Sequence, residues 1–201
     1  MSVGLPLVLA SVSPRRAALL RQLGRPFAAI PSDAVEVTVP GLTPVELTQL
    51  NAYRKAKAVG RRHPEALVLG ADTLVCLGTE LFGKPADRVA AVQMLARLQG
   101  RTHQVITGVC LIHWAARRST VFAVISQVTF RPLSEVQIQQ YLAMINPLDK
   151  AGAYAIQEQG EAIVESLAGS FSNVVGLPLE RLEVELAAFA SAGGHSGEEE
   201  S

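Results

Sequence analysis

The segment Ser11–Arg16, with the sequence SVSPRR, combines hydroxyl, guanidinium and helix-capping residues. Ser13 can cap a helix and Pro14 suits its first position, which leaves unpaired backbone N–H groups at the positive end of the helix dipole. Two hydroxyl and two guanidinium groups beside them would suit the oxygens of a phosphate. An ordinary Ser-Pro cap with two solvated arginines is an equally good interpretation of the spacing. Cations at a helix start oppose the dipole, however, and an anionic ligand would relieve that conflict.

A second candidate site combines a carboxylate with an ammonium group. Asp72 follows the apolar residues 66–71, and a carboxylate at the end of a buried strand often faces a cleft. A tight hairpin predicted around Gly78-Thr79 would return Lys84 close to Asp72. A carboxylate there would stay ionised and could hold a metal or orient a water. A hydrogen-bonded turn aspartate is the commoner role of such a residue in general.

Three further polar residues are less distinctive by themselves. Glu36 lies in a polar segment, and Lys55 lies in a basic stretch of a predicted helix. For both of them, spacing alone favours a solvated side chain. The segment Asp149–Gln157 is too rich in small residues for a helix start and too polar for a buried strand. It predicts a loop that enters a strand, with the amide of Gln157 able to donate and to accept hydrogen bonds.

Capping residues, glycine stops and apolar runs predict the elements that position these side chains. Helices alternate with strands early in the chain and hairpins follow, which indicates a mixed sheet flanked by helices. The predicted helices begin at Ser13, at Thr43, after Pro85, at Ser134 and at Leu179, and they end near Gly24, Gly60, Gly100, Ile145 and Phe189. The predicted strands are residues 7–10, 66–71, 74–77, 80–82, 103–114, 120–130, 162–165 and 171–175.

Composition excludes several classes of protein. The 201 residues carry 18 Lys and Arg against 18 Asp and Glu, and this zero net charge argues against a nucleic-acid binder that works through bulk positive charge. A content of 49% apolar and 18% charged residues indicates a folded core. No apolar run is long enough to span a membrane, and we expect no signal peptide. Two cysteines make no disulfide framework, so we expect a cytoplasmic protein. We predict one domain over residues 1–190 and a flexible acidic tail over residues 191–201.

Taken together, the chain resembles the Maf family of nucleoside triphosphate pyrophosphatases over residues 7–190. The resemblance implies a cytoplasmic enzyme with a mixed β-sheet flanked by helices and two lobes around a cleft, similar to the inosine triphosphatases. The matching pieces follow in family order: LASVSPRRAALL, Glu36, Arg54-Lys55-Ala56, LGADTLV, GKP, GRTHQVITGV, VTFRPL, PLDKAGAYAIQ and GSFSNVVGLPL.

The same resemblance implies a reaction and a role for each matching residue. The family cleaves a nucleoside triphosphate between the α- and β-phosphates with a divalent metal, for which Mg²⁺ or Mn²⁺ is expected. Asp72 would be the catalytic carboxylate that accepts the proton of water, and Glu36 would share the metal with it. The triphosphate would be held by Ser11, Arg16, Lys55 and Lys84. No nucleic acid and no membrane are implied as partners, and a homodimer is one open possibility for the assembly.

Three positions differ between the family's subgroups, and here they are Arg15, Thr73 and Gln157. This combination resembles the subgroup that acts on dTTP and UTP. Uracil and thymine offer one N–H donor beside carbonyl acceptors, and an amide can pair with both. The chain departs from the family after Gln157, where Glu158-Gln159-Gly160 replaces a glycine-rich step. Two alternatives stay open: a non-enzymatic nucleotide-binding regulator of septum formation, and the same hydrolysis on a modified or purine base.

Overall fold

One mixed sheet of seven strands forms the framework of the chain in the computed structural model, which describes residues 5–191. The strands follow the order β2-β1-β3-β5-β6-β7, with β4 beside β3. β1 is parallel to β2 and β3, and all other pairs are antiparallel. The strands are β1 (Leu7–Leu9), β2 (Phe27–Ala29), β3 (Leu67–Leu77), β4 (Glu80–Phe82), β5 (Thr102–His113), β6 (Arg118–Phe130) and β7 (Val164–Ala168).

Several of the helices that cover the sheet begin at the capping residues predicted from the sequence. The Ser13 side chain accepts from the backbone N–H of Arg16, and Thr43 and Ser134 form the capping boxes expected of them. Within residues 5–191, no helix is long and apolar enough to cross a membrane. The helices are α1 (Pro14–Arg21), α2 (Pro44–Gly60), α3 (Arg88–Leu98), α4 (Glu135–Met144), α5 (Phe171–Val175) and α6 (Leu179–Ser191).

β3 is the central strand, and one of its edges is only partly paired. Its partner β5 runs along one edge from Leu67 to Cys76. On the other edge β1 pairs with residues 67–69 and β4 with residues 75–77. Residues 70–74 therefore form an open stretch between two partner strands, and Asp72 lies at its centre.

Apolar side chains divide the molecule into two lobes. In the first lobe, α1 and α6 pack on one face of β1, β3 and β5, and α2 packs on the other face. In the second lobe, α3 and α4 cover the far ends of β3, β5 and β6 together with Phe130 and Tyr154. The expected mixed sheet flanked by helices in two lobes is confirmed.

α2 lies unusually close to the sheet because two glycines face it. A methyl group added at Gly108 would lie 2.5 Å from the backbone nitrogen of Gln49, and one added at Gly70 would lie 2.8 Å from that of Ala56. No other residue type fits at these positions without moving the helix. The helix backbone therefore rests directly on β3 and β5.

The structure corrects three of the predicted elements. Residues 171–175 form α5 and not a strand, because the Ser170 side chain caps them by accepting from the N–H of Asn173. Residues 66–71 are part of the longer β3, so Asp72 lies inside a strand and not after it. Residues 149–157 do not enter a strand; the chain turns through a short 3₁₀ segment at 151–153, where Gly152 has a φ of 70°.

Smaller differences concern element ends. The predicted strand at 162–165 is β7 at Val164–Ala168, and the short β2 has no counterpart in the prediction. α3 follows Pro85 as predicted, and it begins after Asp87, whose side chain caps it. Of the predicted acidic tail, residues 192–201 lie outside the described residues.

Substitution of Gly108 by alanine tests the close contact of α2 with the sheet. The added methyl group meets the backbone of Thr48 and Gln49, so we expect a loss of about 3 kcal/mol in the free energy of unfolding. Urea denaturation measures this free energy of unfolding. Gly83→Ala is the control, because a methyl group at Gly83 meets nothing within 4 Å. Equal stability of the two variants would contradict the proposed packing.

Candidate active site

The open stretch of β3 borders a cavity of about 330 Å³ between the two lobes. α1 and its preceding loop, the segment after β2, α2, the loops after β4 and α4, and the end of α5 complete its walls. The nine residues singled out from the sequence all line it, although they come from six separate segments of the chain: Ser11, Arg15, Arg16, Glu36, Lys55, Asp72, Thr73, Lys84 and Gln157.

Lys55 joins two of the acidic residues that line the cavity. Its Nζ donates to Asp72 Oδ1 at 2.7 Å and to Glu36 Oε1 at 2.6 Å. The side chains of Lys55 and Asp72 are only 12% and 6% exposed, whereas that of Glu36 is half-exposed. The interpretation of Lys55 as a solvated residue is therefore wrong, whereas Glu36 is exposed as expected but paired with Lys55. They form one charged cluster with Asp72.

Burial and the charges around this cluster shift the pKa values of Glu36 and Arg16. Burial alone would raise the pKa of Glu36, but the hydrogen bond and charge of Lys55, with the charges of Lys84 and Arg16, hold it below its usual value. Burial lowers the pKa of Arg16, and the charge of Arg15 adds to the effect, while Asp72 and Glu36 oppose it. The guanidinium is a strong base, so it stays charged. The cavity thus holds an ionised carboxylate beside several cations.

Asn51 is a further residue of the site, and the sequence reasoning missed it. Its Nδ2 donates to Asp72 Oδ2 at 3.4 Å and to the carbonyl of Val37 at 3.1 Å, and its Oδ1 accepts from the N–H of Val37 at 2.9 Å. Asn51 therefore fixes the segment that carries Glu36 relative to Asp72. The sequence does contain a signal for Asn51. It is a polar residue one turn before Lys55, on the face of α2 where apolar core residues would be expected.

Arg16 is held by groups from the middle and from the C-terminal part of the chain. Its Nε donates to the carbonyl of Gly176 at 2.9 Å, and its NH2 group donates to Thr73 Oγ1 at 3.0 Å. Thr73 in turn lies 3.0 Å from Thr107 Oγ1, which donates to the carbonyl of Asn173. These contacts turn Arg16 away from solvent and along the wall of the cavity.

The side chain of Arg15 extends from α1 towards the second lobe. It forms an ion pair with Asp149 Oδ2 at 2.5 Å and also donates to the Asp149 carbonyl at 3.0 Å. The carboxylate supplies the negative charge that the start of α1 lacked in the sequence. The interpretation of Arg15 and Arg16 as solvated arginines is therefore wrong for both residues.

The remaining predicted residues lie at the mouth and at the far end of the cavity. The hairpin of β3 and β4 brings exposed Lys84 to the same cavity as Asp72, as predicted. Ser11 stabilises the start of α1, because its Oγ accepts from the N–H of Ser13 at 3.1 Å. Gln157 is exposed at the second-lobe end, and its Nε2 donates to Glu158 Oε1 at 3.2 Å.

Comparison with known proteins assigns the chain to a family. The family described as Maf-like protein matches residues 6–189, which is nearly the whole chain. The chain belongs to the Maf-like family. The resemblance inferred from its motifs is thereby confirmed.

Curated members of the family include close relatives. A protein of Symbiobacterium thermophilum named dTTP/UTP pyrophosphatase is 50% identical over 179 residues, which are 87% of this chain and 89% of the relative. Proteins of the same name from Pelotomaculum thermopropionicum and Bacillus velezensis are 46% and 47% identical, over 88% and 87% of this chain and 92% of each relative.

Solved structures include a more distant neighbour. The Ham1 protein of Staphylococcus aureus aligns with a TM-score of 0.54 at 14% identity, covering 92% of this chain and 99% of that one. At this identity the likeness concerns the fold alone. It agrees with the expected inosine-triphosphatase-like architecture.

Substitution of Asn51 by alanine tests its role in joining the two acidic segments. The variant leaves the N–H and C=O of Val37 without their Asn51 partner, so we expect a loss of about 2 kcal/mol in the free energy of unfolding. We also expect faster hydrogen exchange at the Val37 amide, measured by NMR or mass spectrometry. Gln49→Ala on the same helix is the control. Unchanged exchange at Val37 in the Asn51 variant would refute the role.

Proposed function

We propose that this protein hydrolyses dTTP and UTP between the α- and β-phosphates and releases the monophosphate and pyrophosphate, which removes unwanted nucleotides. The observation that carries the proposal is the Asp72–Lys55–Glu36 cluster inside a cavity lined by further cations. The name shared by the similar proteins supports the choice of substrate.

Binding of the triphosphate is assigned to the cationic side of the cavity. Arg16, Lys55 and Lys84 face it from α1, from α2 and from the segment after β4. Cleavage of a phosphoric anhydride is catalysed chiefly by positioning and by neutralising the negative charge of the phosphates. The start of α1, with its backbone N–H groups and Ser11, supplies a further anion site. These groups would hold the triphosphate with its scissile bond near Asp72.

Asp72 is proposed as the general base. One carboxylate oxygen contacts Lys55 and the other contacts Asn51, so the orientation of the group is fixed from two sides. It would accept a proton from water as the water oxygen forms a bond to phosphorus, while the anhydride bond breaks and pyrophosphate leaves. General bases of this kind contribute about 10²–10⁴ to the rate.

The carboxylates of Glu36 and Asp72 also fit a divalent metal. Both place an oxygen within 2.7 Å of one atom, the Lys55 Nζ, so a single cation can contact both. Mg²⁺ and Mn²⁺ prefer oxygen ligands and are commonly held by one or two carboxylates together with substrate phosphates. We propose that Glu36 and Asp72 hold this ion. When bound, it would neutralise charge on the phosphates.

Recognition of the base is assigned to the end of the cavity in the second lobe. Arg15, Thr73 and Gln157 are the three positions concerned, and all line the cavity. Thr73 and Arg15 are tied to other side chains, whereas Gln157 is exposed and contacts Glu158. Gln157 is therefore the residue best placed to pair with a base.

The proposal includes the extent of the domain and its location. The two lobes share one sheet, so we treat residues 1–190 as a single catalytic domain. Cys76 and Cys110 are buried free thiols. Such thiols suit a reducing compartment, and the cytoplasm is the proposed location.

Pyrophosphate release by wild-type protein and Asp72→Asn tests the reaction. With dTTP or UTP and Mg²⁺ or Mn²⁺, we expect turnover by the wild type and a fall in kcat of at least about 100-fold in the variant. Affinity for α,β-methylene-UTP, which cannot be cleaved, should change far less. Asp33→Asn, which alters an exposed acid outside the cavity lining, is the control. A wild type that binds dTTP but releases no pyrophosphate would favour the nucleotide-binding regulator instead.

Gln157→Glu tests recognition of the base. The new carboxylate cannot donate to Glu158, whose like charge would push it out of position. We expect kcat/KM for dTTP and UTP to fall about tenfold, measured across a panel of nucleoside triphosphates. Gln159→Glu, at an exposed residue of the same loop, is the control. An unchanged substrate profile would remove Gln157 from base recognition.

A further inference from the structure

We propose that Glu158 fixes the rotation of the Gln157 amide, so that the amide oxygen faces the nucleotide and the site selects uracil and thymine over cytosine. This inference rests on the proposed function, because it concerns the base of the same substrates.

The contact between the two side chains has a defined direction. Gln157 Nε2 donates to Glu158 Oε1 at 3.2 Å. An ionised carboxylate can only accept hydrogen bonds, whereas an amide has a donating NH₂ group on one side and an accepting oxygen on the other. The NH₂ group of Gln157 must therefore face Glu158. Its oxygen is left as the acceptor that can meet a ligand in the cavity, beside the second N–H of the amide.

Glu158 is itself held from behind by a buried cation. Lys150 Nζ lies 3.6 Å from the same Glu158 oxygen, and the Lys150 side chain is only 5% exposed. The ammonium is fixed in turn, because it donates to the carbonyl of Asn146 at 2.7 Å and to Asp149 Oδ1 at 2.9 Å. The other oxygen of Asp149 pairs with Arg15. One network thus connects Arg15 to Gln157.

The backbone around Glu158 is also restrained. The buried Tyr141 hydroxyl lies 3.1 Å from the carbonyl of Ala155, to which it donates, and 3.5 Å from that of Glu158, and it accepts from the N–H of Ala155 at 3.0 Å. The acceptor for Gln157 is therefore attached to a tethered loop as well as to Lys150.

A fixed amide oxygen distinguishes the pyrimidines by their hydrogen-bonding edges. Uracil and thymine carry a proton on N3 and can donate it to this oxygen. Cytosine has a lone pair on N3, which would face the oxygen without a proton between them. An acceptor placed opposite N3 therefore disfavours cytosine, whose only donor on this edge is the neighbouring N4 amino group. An amide free to rotate could instead turn its NH₂ group towards cytosine and lose this discrimination.

Glu158→Gln and Glu158→Ala test the inference. The first keeps the shape of the side chain but can both donate and accept, so either rotation of Gln157 is allowed; the second removes the partner. We would measure binding of α,β-methylene-UTP and α,β-methylene-CTP with Mg²⁺ by calorimetry, and pyrophosphate release from UTP and CTP in parallel. Glu161→Gln, an exposed acid of the same loop, is the matched control.

We expect the wild type and the Glu161 variant to prefer the uridine analogue. In both Glu158 variants the preference should shrink about tenfold, the effect of one hydrogen bond to a charged group. A wild-type preference that survives in both variants would overturn the inference, as would a wild type that binds the two analogues equally. If the wild type releases no pyrophosphate but the binding preference is lost in the variants, the proposed hydrolysis fails and the inference stands.

Discussion

The close contact between α2 and the sheet is the constraint on which the site depends. Gly70 and Gly108 let the helix backbone approach β3 and β5 until no space is left for a methyl group. At that distance Asn51 and Lys55, one turn apart on α2, both reach the carboxylate of Asp72. A longer residue at either glycine would separate these side chains. The geometry of the charged cluster thus depends on two glycines that have no functional side chain.

The open stretch of β3 is the complementary feature. A fully paired strand would have a neighbouring backbone beside Asp72, and the cavity would be closed. Here β1 and β4 each pair with one end of the same edge and leave residues 70–74 between them. In the first lobe β1 runs parallel to β3, and in the second lobe β4 runs antiparallel to it. The cleft between the lobes is therefore a consequence of how two short strands share one edge of a long strand.

Much of this arrangement could be predicted from local sequence signals. Ser13, Thr43 and Ser134 begin helices where their caps predict them, because capping involves residues only three positions apart. Motif resemblance brought together nine residues that line one cavity. Asn51 was missed because its partners, Val37 and Asp72, are distant in sequence. The true extent of β3 was missed for the same reason, since pairing with β5 carries the strand past Asp72.

The contacts of Arg15 and Arg16 bear on how the protein is made. These residues lie in the first tenth of the chain, yet they are held by Asp149 and by the carbonyl of Gly176. A ribosome must therefore synthesise nearly the whole chain before the start of α1 acquires its final partners. Until then Arg15 lacks its carboxylate partner at a helix N-terminus that disfavours cations. Contacts between such distant residues are formed late and at a large cost in chain entropy. Completion of the anion site thus coincides with completion of the fold, and a truncated chain lacks the contacts that position it.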